Sequence, residues 1–407
     1  MRPMRIGFVA PEFVTERYFS GGLANYLYRI SKTLASFGHE IHIITFSEID
    51  QAEFDYERVR IHRVSASRPK LRLRRLNKEK LNELSQWIKF SFKVYMKLKK
   101  LHSQKPFDIV QYTNFRACGL FSSLLLRIPY VLRCSSYSPA WHQLAGIRRK
   151  IGIRVLEHLE KLQLHLSRNI YTPSVTLKQM LIEKEQIAGI RVIRTPFYLE
   201  TSEWDTAVYD EKLRGKSYLL FFGRFQLSKG FHVLAQALPT VLKMLPECYA
   251  VFVGLDQATT LARSMKDYAL YLCSNHVERL VFFGQMHHEH LYPIIAGAHL
   301  VVLPSLIDNM PNTCLEAMGL GKPVIGTTGA SFEEIITEGE TGFLVPTANV
   351  DALSSKIVEA WRHPNLNAIG RAACRKVQEY SPQRTAVSLL EYYGSLVLSS
   401  EKVKIGE

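Results

Sequence analysis

No stretch of the 407-residue chain holds 18 uninterrupted apolar residues, which excludes an ordinary membrane-spanning helix. Cysteine is scarce. The six present (Cys118, Cys134, Cys248, Cys273, Cys314 and Cys374) form no CxxC pair, so neither a disulfide framework nor a thiolate zinc site is indicated. Buried, reduced thiols in a cytosolic protein are the expected state. Repeats and low-complexity tracts are missing as well. The first apolar run, in MRPMRIGFVAPEF, is too short for a signal-peptide core and reads as the opening strand of a sheet. Acidic residues are outnumbered, with 37 Asp and Glu against 52 Lys and Arg, giving a formal charge of +15.

What the chain does have is length and alternation. At 407 residues and 47 % apolar content it exceeds one ordinary core and suggests two α/β domains. Strand-like runs cover residues 6–10, 41–46, 60–64, 109–112, 130–133 and 169–172 in the first half. In the second half they cover 219–222, 250–253, 280–283, 300–303, 324–326 and 342–345. Helical stretches, such as 22–37 and 146–166, separate most of them, and a final helix is expected from Pro382 to about Leu398. Alternating strands and helices predict two doubly wound parallel sheets. The polar, Pro-containing stretch RTPFYLETSEWD (194–205) marks the boundary.

The positive charge is uneven. Residues 63–105 hold 14 Lys and Arg against Glu79 and Glu83, a net +12. Within them, residues 82–101 read as a helix with Lys89, Lys93, Lys97 and Lys100 in one stripe. Trp87, Ile88, Phe92 and Tyr95 are among the residues on its other faces. A basic helix with that much aromatic surface fits an anionic membrane interface. A solvated face ranks second. Nucleic acid ranks last, because no nucleic-acid fold signature accompanies the charge.

Two segments carry chemistry. In PSLIDNMPNTCLEAMGLGKPVI (304–325), Pro304 and Ser305 stop a buried strand and a helix follows, closed by Gly321 and Pro323. Asn312 or Thr313 is the expected N-cap, which would set a positive helix end beside Asp308 and Glu316 on the first turn. Such an end holds an anion such as a diphosphate. In YLLFFGRFQLSKG (218–230) a strand and a Gly turn lead to Arg224 and Lys229, then to a helix beginning near Phe231. Two cations at a strand end make a second anion cradle. Open parallel sheets bind ligands at such ends.

GRFQLSKG resembles the G-R-x(n)-K-G motif of the retaining family 4 (group 1) glycosyltransferases. Asp308 to Glu316 is similar to their E-x7-E motif, and EAMGLGKPVI (316–325) to the signature that follows it. VFVG (251–254), VFFGQM (281–286) and GETGFLVP (339–346) match in order, most strongly over residues 215–350. Gly21-Gly22, GHEIHIIT (38–45) and FDIVQYTN (107–114) match more weakly in the first half.

The resemblance implies two Rossmann-like domains facing a central cleft, the GT-B architecture. Residues 1–200, completed by a helix at 382–407, would bind the acceptor, and residues 201–381 the nucleotide-sugar donor. It further implies retaining, metal-independent transfer of a hexose-like sugar to a glycan or glycolipid, in cell-surface polysaccharide or lipopolysaccharide synthesis, at the inner face of the plasma membrane. Arg224 and Lys229 would stabilise the leaving diphosphate, Glu316 would bind ribose hydroxyls, and Asp308 would contact donor-sugar hydroxyls. Backbone of Asn309, Met310, Pro311, Asn312 and Thr313 would line sugar and phosphates. Gly284, Gln285 and Met286 would flank the nucleobase. Gly21 and Gly22 would let backbone approach the diphosphate or acceptor closely. No cofactor is implied; the nucleotide-sugar is a substrate.

Two departures stand out. The first acid is Asp308, one methylene shorter than the commoner Glu. Ser135 stands where a His is common after the strand at 130–133, so no general base is assigned. The cluster MHHEHL (286–291) lacks the helical i, i+4 pair of a zinc site and reads as the start of a surface helix. Glu333 and Glu334 read as solvated charge. The alternatives are a non-catalytic nucleotide-sugar-binding module, or a nucleotide-sugar epimerase on the same fold. A phosphorylase would need a lysine-bound pyridoxal motif, and none is evident.

Overall fold

The computed structural model describes residues 2–16, 22–48, 50, 52–66, 78–200 and 203–405. Two compact units emerge: Met1–Pro139 with Arg148–Pro196 and Pro382–Glu407, and Ala140–Ile147 with Phe197–Ser381.

The first unit is built on an eight-stranded sheet. Its strands are β1 (Arg5–Ala10), β2 (Glu40–Ser47), β3 (Glu53–Tyr56), β4 (Val59–Ser65), β5 (Ile109–Thr113), β6 (Tyr130–Arg133), β7 (Ile170–Thr172) and β8 (Arg191–Val192). They are ordered β3-β4-β2-β1-β5-β6-β7-β8. All six residues of β1 and all five of β5 are buried, as expected where helices cover both faces of a parallel sheet. β3 was not expected. It pairs antiparallel with β4, so this sheet is mixed at one edge. Its hairpin turns through Glu57 and Arg58, both at positive φ, without the Asn or Gly that normally announces such a turn. The helix expected from residue 146 begins instead at Ile151, as Ile151–Leu166.

The last helix, Pro382–Ile405, returns to this unit and packs beside the helix Gly22–Ser36. A buried hydroxyl cluster fixes it there. Tyr393 and Tyr171 each donate to Gln111 Oε1 at 2.6 Å, and the Tyr26 and Tyr171 hydroxyls lie 2.6 Å apart. The Arg133 guanidinium stacks over the Tyr26 ring at 3.7 Å. Buried polar groups satisfied in this way specify one docking geometry.

The second unit carries a six-stranded, wholly parallel sheet of β9 (Ser217–Phe222), β10 (Cys248–Val253), β11 (Leu280–Phe283), β12 (Leu300–Val302), β13 (Val324–Thr328) and β14 (Phe343–Pro346). The order β11-β10-β9-β12-β13-β14 places β9 beside β12. There the winding reverses, and the loops leaving the two strands diverge to form a crevice. Apolar side chains fill both faces: Phe221, Phe231 and Phe252 on one, Tyr218, Leu220 and Leu315 on the other. Among the described residues no helix is long and apolar enough to cross a membrane. The six cysteines are free, and all but Cys374 are buried.

Candidate active site

The loop after β9 is joined by close backbone contact to the loop after β10 and then to the loop after β12. Gly223 and Gly254 both have positive φ, and a Cβ on Gly254 would fall 1.9 Å from the Gly223 carbonyl oxygen. The backbone therefore turns sharply past Arg224, where Phe225 N donates to Leu255 O at 2.9 Å. A 3-10 turn, Leu227–Lys229, follows and ends at Gly230, whose φ is +67°. A Cβ there would lie 1.7 Å from Pro304 O, so only glycine fits. Next to this contact Leu306 N donates to Ser228 O at 2.9 Å.

That stitching brings the cation loop to the acid loop. Lys229 Nζ lies 2.5 Å from Asp308 Oδ2. The other carboxylate oxygen accepts Asn309 N at 3.0 Å and Met310 N at 3.4 Å. Ser331 Oγ donates to the Asp308 carbonyl at 2.9 Å. Asp308, with its side chain only 11 % exposed, thus organises the loop that precedes the helix. Nothing in the sequence pattern marked Ser331 as its partner. Phe332, beside it, is buried against Gly326.

The helix itself runs Asn312–Gly319, and its N-cap is Pro311 rather than Asn312 or Thr313. Pro311 O receives Cys314 N at 3.0 Å, and no side chain caps the turn. The first-turn N–H groups therefore keep their anion-binding character. Because the helix starts at Asn312, Glu316 sits at the beginning of the second turn rather than on the first. It is buried, at 8 % exposure.

Glu316 has a partner that sequence reasoning assigned to a plain surface helix. His288 opens the helix His288–Gly297 after β11. Its Nε2 lies 3.6 Å from Glu316 Oε1 and its Nδ1 2.8 Å from Glu200 Oε2. The close contact with Glu200, then the more distant carboxylate of Glu316, push the imidazole pKa up to about 10, which favours the cationic ring at neutral pH. Gly284 and Gln285 are exposed, and Met286 packs partly on the core beneath. Two residues later the chain reaches His288, which ties this loop to Glu316.

Of the remaining expected positions, Gly22 begins a helix of the first unit and Gly21 lies outside the described residues. Ser135 N donates to Asn114 Oδ1 at 2.9 Å, and its hydroxyl accepts from Arg133. It is part of the loop framework after β6. Glu333, exposed, accepts Gly329 N at 2.8 Å and serves its own turn.

Comparison with known proteins places this arrangement. Residues 216–363 match the model for glycosyl transferases group 1, and residues 20–200 match that for glycosyltransferase family 4. The chain belongs to the family 4, group 1 glycosyltransferases. A D-inositol 3-phosphate glycosyltransferase of Corynebacterium urealyticum is 30 % identical over 190 residues, 45 % of this chain and 44 % of the relative. A phosphatidyl-myo-inositol mannosyltransferase of Mycobacterium leprae is 27 % identical over 190 residues, 46 % of this chain and 49 % of the relative. The chain thus spans about half the length of these curated relatives. Sucrose-phosphate synthase from Thermosynechococcus elongatus shares the fold, with a TM-score of 0.78 at 19 % identity over 97 % of this chain and 100 % of that one. The group 1 model spans both of the stitched loops and the helix that carries Glu316.

Proposed function

We propose that this family 4 glycosyltransferase moves a sugar from a nucleotide-sugar to a glycan or glycolipid acceptor, with retention at the anomeric carbon. The observation that carries the reading is the Lys229–Asp308 pair, held on two stitched loops at the sheet's switch point, next to a helix end without a side-chain cap. Such a site favours charge that grows on a departing diphosphate. Arg224 and Lys229 supply cationic contacts to it, and backbone of residues 309–313 lines the phosphates and sugar. Glu316 binds the ribose hydroxyls while His288 fixes its orientation. Asp308 contacts donor-sugar hydroxyls with its orientation set by three donors. Residues 284–286 flank the base. The leaving phosphate takes the acceptor proton on the face it vacates, which needs no enzymic base.

The acceptor belongs to the first unit in this reading, and its class is a membrane-borne glycan or glycolipid of the cell surface. Support comes from the basic, aromatic helix Lys78–Gln104, from the net charge, and from the lipid-directed name of the mycobacterial relative. Part of the basic segment, residues 67–77, lies outside the described residues. The protein works from the cytoplasmic side, peripherally attached.

The decisive experiment is incubation with UDP-, GDP- and ADP-sugars, with and without acceptor lipid, scored for nucleoside diphosphate and for product anomeric configuration. Acceptor-dependent release with retention, undiminished by EDTA, is the expected result. Donor binding without any turnover would assign a binding module, and sugar interconversion without release an epimerase.

A further inference from the structure

One side of the first unit shows few carboxylates to solvent: Glu83, on its longest helix, is partly exposed but pairs with Arg116 at 2.7 Å. Residues 84–168 contain 15 Lys and Arg but only Asp108, Glu157 and Glu160. Asp108 accepts Arg5 N at 2.6 Å at the amino edge of the sheet. Glu157 is buried and held by Arg149 at 2.5 Å, and Glu160 is buried and held by Ser138 at 2.5 Å. The helices Lys78–Gln104, Leu120–Leu125 and Ile151–Leu166 pack on one another over this side of the sheet, with Phe92 edge-on to Phe121 at 5.7 Å. Their outer surface carries Phe92, Met96, Leu124, Leu125, Ile151 and Leu162, each between 46 % and 70 % exposed. Around them Lys89, Lys100, Arg127, Arg154 and Arg168 are exposed, and none pairs with a carboxylate among the described residues. Arg127 and Arg168 flank a hollow of about 320 Å³ that Tyr130 and Leu166 help to line.

The lysine stripe expected from sequence is arranged differently. Lys97 pairs with Glu53 of β3, and Lys93 Nζ donates to Ser65 O at the end of β4 at 2.6 Å. Two of the four stripe lysines are therefore committed to fastening the helix to its own sheet edge.

We propose that the three-helix outer face, and not the lysine stripe, is the surface that docks on an anionic lipid bilayer. This rests on the reading of the protein as membrane-associated. Apolar side chains enter the interface, while the ring of cations meets lipid phosphates; Arg127 and Arg168 offer one phosphate two guanidinium partners. A face whose described carboxylates are buried or paired with cations opposes a second copy of itself by self-repulsion and complements anionic headgroups.

The test is co-sedimentation with vesicles of phosphatidylcholine, alone or mixed with phosphatidylglycerol. Wild type should bind the mixed vesicles and leave them partly as salt rises. Lys100→Gln with Arg127→Gln and Arg154→Gln should lower partition on the order of a hundredfold, about fivefold for each charge removed. Phe92→Ser with Leu124→Ser and Leu162→Ser should remove the salt-resistant fraction. Hydrolysis of donor in solution should stay at the wild-type rate in both, which shows that they fold. If Lys93→Gln with Lys97→Gln abolishes binding while the two triple variants bind normally, the protein is still membrane-associated but this face is the wrong one. Wild type that binds no vesicle overturns both statements. Equal binding to neutral and mixed vesicles, a concentration-dependent doubling of mass in ultracentrifugation, or retention on DNA but not on vesicles would each assign the face to something else.

Discussion

His288 Nε2 lies 3.6 Å from Glu316 Oε1, and the same ring reaches Glu200 with its other nitrogen. One imidazolium thereby separates two carboxylates that would otherwise repel. Its pKa is about 10 against an ordinary 6.5, and the sign of the linkage follows. The stabilisation is complete below about pH 6.5 and is lost as pH rises through about 10. Allowing for solvent screening of a partly exposed ring, it is worth about 1–3 kcal/mol. Urea titrations of wild type and His288→Ala should differ by that amount near neutral pH or below and converge at alkaline pH. A gap that stays constant with pH would reduce the ring to packing.

Glu316→Ala should raise the donor Kd while the fold survives, because His288 keeps Glu200 as a partner. Losing a charged hydrogen bond costs about 1.5–3 kcal/mol, roughly ten- to a hundredfold in affinity. Calorimetry with the preferred donor decides it; unchanged affinity would remove Glu316 from the ribose.

Lys229 and Asp308 should behave as one unit. Lys229→Ala and Asp308→Ala are each expected to impair turnover, and the double variant to be no worse than the more damaged single one. A double-mutant cycle on kcat/KM should give a coupling of about 1–3 kcal/mol. Additive losses would mean that the 2.5 Å contact is incidental. Arg224→Ala should lower kcat more than it raises KM, since its charge counts most as the diphosphate leaves.

Gly230→Ala should be among the most damaging single-methyl changes in the second unit. The residue sits at φ +67°, and the new Cβ would meet Pro304 O at 1.7 Å. Relieving that clash must part the two loops, at a cost of about 2–4 kcal/mol together with loss of donor binding. A variant with wild-type melting temperature and donor affinity would show that the loops do not need this contact.

Much of the fold was legible because short apolar runs end at clear breakers. β6 and β11 occupy the residues expected of them, and the helix after Gly230 starts where GRFQLSKG says it should. β3 was not legible, since Glu57 and Arg58 adopt positive φ under tertiary constraint instead of turn preference. The cap at Pro311 was hidden because Asn312 is the better intrinsic capper, while the packed loop assigns the terminal carbonyl to its neighbour. Asp308 and Glu316 were visible through their spacing. Ser331, His288 and Glu200 were not: they come from separate loops and helices, and their relation to the two acids exists only once the sheet order is set.

The docking of Tyr393 on Gln111 also has a temporal side. During synthesis the first unit's leading residues emerge early, yet their hydroxyl cluster stays incomplete until the segment after Ser381 has emerged. By then all of Ala140–Ile147 and Phe197–Ser381 has left the ribosome. The second unit is thus free to finish folding before the first, the reverse of the usual N-terminal-first order. Until the last helix arrives, the core positions that Leu389, Leu390 and Tyr393 fill beside Tyr26 and Tyr171 stay uncovered.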